Sequence, residues 1–342
     1  MTRSWYRVAA ALIIGVLLQP GADAWAQDAA AFYRGKVVRL IVGYAPGGGY
    51  DSYARLVAPY LESRLGATVI VENQPGGGGF NALANLMREP GDGSRILLLN
   101  GEAALLSTLV NDGSRRFDLR NLAYLGRVSY ENRVLVARAG TPYARFDGFL
   151  KSGKPVFFGA GGRIDSMGDP ASLLCDALAI ACKLVTGFQG APDTALALER
   201  GEVDALVTSE SQTAHLIARG TLAAVAILSP NRAPLLPQVS PVFELAKLSP
   251  ERAKWLLFRA RISDFGRTLV VPNDTPADRI AVLEQAAAAV LSDPRVQDEG
   301  ARTDRPIAYA SHAETRRILD SIVSGLSDAD RATIRRLLLS AY

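Results

Sequence analysis

Few residues in this 342-residue chain can do chemistry, and the most pointed of them are glycines. Ala45-Pro46-Gly47-Gly48-Gly49-Tyr50-Asp51 follows an apolar, β-branched run at 37–43 and precedes a helix-spaced run at 52–65. Glycines lack Cβ, so their N–H groups can face a guest, and a helix N-terminus adds partial positive charge there. Asp51 or Ser52 can cap the helix. The loop reads as an anion cradle built from backbone; the plainer alternative is a tight strand-to-helix turn. Three consecutive glycines cost more chain entropy than a turn requires, which favours the cradle.

A second loop, Gln74-Pro75-Gly76-Gly77-Gly78-Gly79-Phe80-Asn81, offers different chemistry. Gly77-x-Gly79-x-x-Ala82 fits a loose dinucleotide fingerprint, with Glu102 as the ribose acid. An exported α/β oxidoreductase using that loop is therefore the alternative function. Its weakness is position: Asn73 to Gly76 separate the strand from the first motif glycine, which should sit at the strand end. Gly148 to Lys154 is a near-miss to a phosphate loop, but Pro155 replaces the hydroxyl residue and a strand follows rather than precedes it.

The remaining chemistry is sparse. With 2 His (His215 and His312) and 2 Cys, the chain cannot build a His/Cys zinc cluster, an iron–sulfur site or a multi-disulfide scaffold. His215 falls within a helix pattern and reads as structural. No cofactor is expected. Charged residues at strand ends are the other candidates. Arg163 could grip a distal carboxylate with both arms of its guanidinium. Glu102 could select an amine or repel a second carboxylate. Asp165, Glu210 and Arg267 are weaker candidates, because most charged groups are simply exposed.

The elements that must position these residues alternate. Strand-like runs at 37–43, 68–72 and 96–100 are separated by helical ones at 52–65 and 80–88, the pattern of buried parallel strands in an α/β sheet. Residues 123–137 break the rhythm with two β-like runs. It then restarts with strands at 155–159, 183–186, 203–208 and 222–228 among helices at 145–151, 170–179, 193–200 and 211–219. A proline-rich stretch leads to a last strand at 267–271 and helices at 276–291, 312–324 and 327–340. This predicts two α/β lobes joined by two crossing strands: 27–127 plus 230–342 as lobe one and 128–229 as lobe two. Ligands of open α/β sheets sit beyond the carboxyl ends of strands. The cleft should then be lined by Tyr44, Ala45, Pro46, Gly47, Gly48 and Asp51 with Asn100 and Glu102 from lobe one. Lobe two should add Gly159, Ala160, Gly161, Gly162, Arg163, Asp165, Gln189 and Glu210.

Residues 1–26 read as a secretory leader, with Arg3 and Arg7, an apolar run of about 11 residues, and a cut after Ala26. The run is too short for a span of about 20 residues. Loss of Arg3, Arg7 and Asp23 leaves 36 basic and 33 acidic side chains over 316 residues. That balance carries no nucleic-acid footprint. Export puts Cys175 and Cys182 in an oxidising compartment, which favours a bridge over two buried thiols. A bridge requires the helix to end near Ala179 or Ile180 and a strand to begin at Cys182, because seven residues of helix span about 10 Å.

The motifs together resemble a known family. Tyr33-Arg34-Gly35-Lys36, Val38 to Val42, and Pro46-Gly47-Gly48-Gly49-x-Asp51-x-x-Ala54-Arg55-Leu56 are similar to the start of mature Bug/TctC proteins, periplasmic binding components of tripartite tricarboxylate transporters. Val69-Ile70-Val71-Glu72-Asn73-Gln74-Pro75-Gly76-Gly77-Gly78 resembles their second hallmark. Weaker echoes are Phe157 to Gly162, Gly187-Phe188-Gln189-Gly190, Gly201 to Ala205, and Pro272-x-x-Thr275-Pro276. The resemblance implies a type II periplasmic-binding fold that closes on an organic carboxylate without catalysing a reaction. It implies a carboxylate on the first loop and Gly159–Gly162 as the facing wall. A permease or a sensor is the implied partner of a monomeric periplasmic protein. The chain departs from the pattern at 247–265, which is longer and more helical, and at Phe265-Gly266-Arg267, where the family often has an aromatic pair.

Overall fold

The computed structural model describes residues 30–110 and 118–339. The leader expected at residues 1–26, with its cut after Ala26, lies outside the described residues.

The chain first lays down β1 (Val37–Val42), α1 (Gly49–Leu65), β2 (Thr68–Asn73), α2 (Phe80–Arg88), β3 (Arg95–Asn100), α3 (Gly101–Val110) and β4 (Leu122–Ser129). It then crosses to a second sheet through β5 (Arg133–Arg138). There follow α4 (Phe146–Leu150), β6 (Val156–Ala160), α5 (Gly168–Leu178), β7 (Cys182–Thr186), α6 (Ala191–Arg200), β8 (Ala205–Ser209), α7 (Glu210–Ile217) and β9 (Leu222–Ile227). After α8 (Val242–Leu245) and α9 (Pro250–Ile262), β10 (Arg267–Pro272) returns to the first sheet. The chain continues in α10 (Ala277–Leu291), α11 (Pro294–Arg302), α12 (His312–Ser324) and α13 (Asp328–Leu339).

The two sheets have orders β2-β1-β3-β10-β4 and β7-β6-β8-β5-β9. Both are mixed rather than purely parallel. β1 pairs parallel with β2 and β3, and β6 pairs parallel with β7 and β8, as the alternating rhythm predicts. The strands next to the crossings run the other way: β10 is antiparallel to β3 and β4, and β5 is antiparallel to β8 and β9. A strand arriving from the other lobe is not joined to its neighbours by a local βαβ crossover, the connection that makes neighbours parallel, so it is free to run antiparallel to them. The result is a two-lobed α/β fold.

Three local features have direct sequence causes. α3 is absent from the sequence reading because nine of its residues are buried, so it shows no polar face and no amphipathic stripe. α5 stops at Leu178, and Ala179 takes the left-handed conformation (φ 56°), donating to Asp176 and Cys175 carbonyls. That turn brings Cys182, the first residue of β7, to a Cα distance of 6.3 Å from Cys175, and the two are disulfide-bonded. α9 serves both lobes: Leu256 packs in the core of the second, while Trp255 and Ile262 join a core of the first.

Candidate functional site

The first glycine loop leaves β1 and enters α1 as the sequence suggests, but its N–H groups are not all free. Gly47 N–H donates to Asp51 Oδ2 (2.9 Å), and Ala45 N–H donates across the lobes to the Gln189 carbonyl (3.1 Å). Pro46 has none to give. Asp51 is buried and also accepts from Arg55 Nε (3.0 Å). Burial opposes its charge, yet the Arg55 and Gly47 bonds hold its carboxyl below the usual range. Asp51 is therefore the clasp of the loop. What remains at the helix start is Gly48, Gly49 and Tyr50, whose first-turn N–H groups have no intrahelical partner.

These three residues line a cavity of about 30 Å³ between the lobes, with Tyr44, Arg133, Ser166, Met167, Gly190, Ala191, Thr208, Ser209, Gln212 and Arg267. Four helix N-termini converge on it. Gly49 opens α1, Met167 precedes α5, Gly190 and Ala191 open α6, and Ser209 caps α7 by accepting from Gln212 N–H. Each contributes partial positive charge from its first turn. Two buried arginines line it as well, Arg133 paired with Glu102 and Arg267 with Glu131. Three buried polar atoms at the cavity lack a hydrogen-bond partner: Tyr50 Oη, Gln212 Oε1 and Arg267 Nε. Water-poor surroundings make an anion here worth far more than at the surface.

Two other parts of the sequence reading are placed elsewhere. Glu102 is buried, accepting from Arg133 Nε (3.0 Å) and Arg259 Nη2 (2.6 Å). Burial alone would raise its carboxyl, but the two guanidiniums hold it below its ordinary value. Arg259 also pairs with Asp169 and donates to Ser263 Oγ (3.1 Å). Glu102 thus joins α3 of the first lobe to β5 of the second and to α9, and its charge is spent on that network instead of on a ligand. Glu210 accepts from Asn132 Nδ2 (3.0 Å) and lines a different cavity of about 660 Å³ beside the crossing segments. Burial pushes its carboxyl up to about 7.

Asp165 is wholly buried and gathers the N–H groups of Gly161 (2.8 Å), Met167 (2.9 Å) and Gly168, fixing the loop ahead of α5. Burial raises its carboxyl in spite of those bonds. Gly159 and Ala160 end β6, and a Cβ on Gly159 would lie 2.4 Å from the Thr194 methyl, so close packing accounts for that glycine. Gly162 and Arg163 lie toward solvent, Arg163 exposed. Gln189 is exposed and contributes its carbonyl, as above. Asn100 donates to Tyr44 Oη (2.6 Å), which donates to the Gly78 carbonyl (2.9 Å).

That last chain explains the second glycine loop. Gly76 to Gly79 all have positive φ. A Cβ on Gly78 would lie 2.7 Å from Asp165 Cβ, and one on Gly79 would sit 3.4 Å from the Tyr44 ring. The loop is thin so that the lobes can touch and Tyr44 can cover it. Tyr44 lies against Gly79 and Asp165 against Gly78, so these glycines serve contacts within the protein. Sequence reading missed Arg133, Ser166, Met167, Ala191 and Gln212. Arg133 carried a signal, a lone charge opening the apolar strand Val134 to Ala137.

A two-lobed α/β fold with helix N-termini from both lobes aimed into one cleft defines a solute-binding protein. The family model described as "Tripartite tricarboxylate transporter family receptor" matches residues 53–324, and the chain belongs to that family. A relative from Agrobacterium vitis, the UPF0065 protein in the TAR-I ttuE-ttuC' intergenic region, is 28% identical over 287 residues, 83% of this chain and 79% of its own. The solved structure of the periplasmic binding protein BugD superposes with a TM-score of 0.71 at 21% identity, over 85% of this chain and 97% of that one. MatC from Rhodopseudomonas palustris with bound malate superposes with a TM-score of 0.67 at 20% identity, over 89% and 99%.

Proposed function

We propose that this protein captures a small organic carboxylate in the interlobe cleft and does no chemistry on it. Lobe one is built on the sheet that ends in β4, so Val128 and Ser129 belong to it and not to the second lobe expected from 128. Lobe two is built on the sheet of β5 to β9, and the segments between β4 and β5 and after β9 act as the hinge. The observation that carries this reading is the convergence of four helix N-termini and two buried arginines on one cavity. The cavity's about 30 Å³ holds roughly two waters. A ligand of several carbons therefore enters only when the lobes part, and closure completes its contacts. The malate held by MatC supports a carboxylate as the solute class. The leader pattern and the name of BugD support a periplasmic location, with a transporter permease or a sensor receiving the loaded protein.

The test is a thermal-shift screen of the chain lacking residues 1–26 with acetate, succinate, malate, citrate and NAD. At a hundredfold excess over Kd, a carboxylate that binds adds about 2.7 kcal/mol to stability. NAD should add nothing. Gly48→Val should abolish the carboxylate shift while the fold survives. Gly48 has φ −79°, and a Cβ there meets only Ala45 O at 3.5 Å and Pro192 Cδ at 3.7 Å. A shift with NAD, or none with any carboxylate, would sink the reading.

A further inference from the structure

Resting on that carboxylate reading, we infer that Arg267 is the charged contact that grips the carboxylate at the start of α1. Arg267 opens β10 and is 3% exposed. Its guanidinium lies over the rings of Tyr50 (4.9 Å) and Tyr53 (4.6 Å). Nη1 pairs with Glu131 and donates to Ser129 Oγ (3.2 Å), while Nε is buried with no hydrogen-bond partner.

The other arm faces the cradle. A Cβ on Gly49 would lie 3.1 Å from Arg267 Nη2, 3.7 Å from Ser209 Oγ and 4.0 Å from Gln212 Oε1. Polar groups of both lobes therefore surround the one glycine whose N–H opens α1. A Cβ at Gly49 would force the guanidinium to give by a few tenths of an ångström.

The pairing of Arg267 matters as much as its place. Glu131 sits in the crossing segment and also accepts the Ser211 N–H (2.8 Å). Its charge is divided between a guanidinium and a helix start, so it holds one edge of Arg267 without cancelling the edge that faces Gly49. The planar fork is locked by two rings on its faces and by Glu131 and Ser129 on one arm. A carboxylate on the first turn of α1 then receives backbone N–H groups and a guanidinium arm together, all of them charge-assisted hydrogen bonds, which are about twice as strong as neutral ones. Arg133, by contrast, spends two of its nitrogens on Glu102.

The experiment uses the chain lacking residues 1–26 and whichever of acetate, succinate, malate and citrate gives the largest thermal shift, with the corresponding carboxamide as the uncharged comparison. Affinities are measured by calorimetry for the wild type, Arg267→Lys and the double variant Arg267→Met with Glu131→Gln. The double variant leaves no unpaired charge. Arg267→Lys keeps the Glu131 pair and reports on the fork even if the double variant does not fold. The expected result is a loss of at least tenfold in carboxylate affinity in the double variant, a smaller loss in Arg267→Lys, and unchanged carboxamide affinity. A residue that only supported the fold would weaken both ligands alike. Equal losses for carboxylate and carboxamide, or a carboxylate affinity within threefold of wild type, overturn the role of Arg267 and leave the carboxylate reading standing. A wild type that binds none of the four carboxylates overturns both.

Discussion

Replacing Glu102 with Gln is the sharpest test of how the lobes are joined. The carboxylate lies between Arg133 and Arg259, 2.6 Å from the Nη2 of the latter, and Glu102 is 1% exposed. At that distance and an effective dielectric of about 20, each guanidinium attracts it by about 6 kcal/mol in gross terms. Desolvation of the charges offsets much of this, but the substitution does not recover that cost, because both arginines stay buried with Asp169 as the remaining anion. Removing one member of such a set typically costs 3–5 kcal/mol, and that is the expected loss. The assay is guanidinium denaturation of the chain lacking residues 1–26, followed by tryptophan fluorescence. Trp255 is then the one tryptophan in the sequence, and it lies on α9 four residues before Arg259. Adding Arg133→Met to Glu102→Gln removes both partners of one pair, leaves Arg259 with Asp169, and should return about 1–3 kcal/mol, since residues in one network couple on that scale. A loss under about 1 kcal/mol, accompanied by a changed ligand preference, would refute the structural assignment and return Glu102 to the ligand.

Two further outcomes follow from the same geometry. The Cys175–Cys182 bridge spans a sequence separation of 7, so replacing both cysteines with Ala should cost about 2 kcal/mol in denaturation by the loop-entropy relation, and a chain equally stable without the bridge would contradict it. Glu210 has a carboxyl raised from 4.5 to about 7, chiefly by burial, partly relieved by Asn132 and Arg267 and aggravated by Glu131. Between those values the folded chain holds a proton that the unfolded chain has released. This group therefore lowers stability as pH rises from about 4.5 to about 7, by about 1–2 kcal/mol after allowance for partial solvation. Glu210→Gln should flatten that part of the stability profile relative to wild type, and parallel profiles would remove Glu210 as the cause.

The sequence by itself determined the order of the strands and of most helices (α3 and α11 among the exceptions), the two passes between lobes, the glycine loop at the head of α1 and the family. Those features rest on local physics: β-branched runs between turn residues, glycine where a backbone must be bare, helix spacing after a cap. It also determined where the chain had to turn for Cys175 to meet Cys182, because seven residues of helix cannot close that distance. The tertiary structure alone decided which polar groups are free. Asp51, Asp165 and Gln189 read as candidate ligand groups along the chain, yet each is engaged by backbone a few residues away or across the cleft. Glu102 looked like a selector because its strand end faces the cleft, and only the arrival of Arg259 from a helix 157 residues later shows that its charge is consumed. Arg267 was one surface candidate among several until β10 inserted between β3 and β4. That placement sets its guanidinium against Gly49, and no pattern along the chain encodes it, because the partners are brought together by the crossing of the lobes.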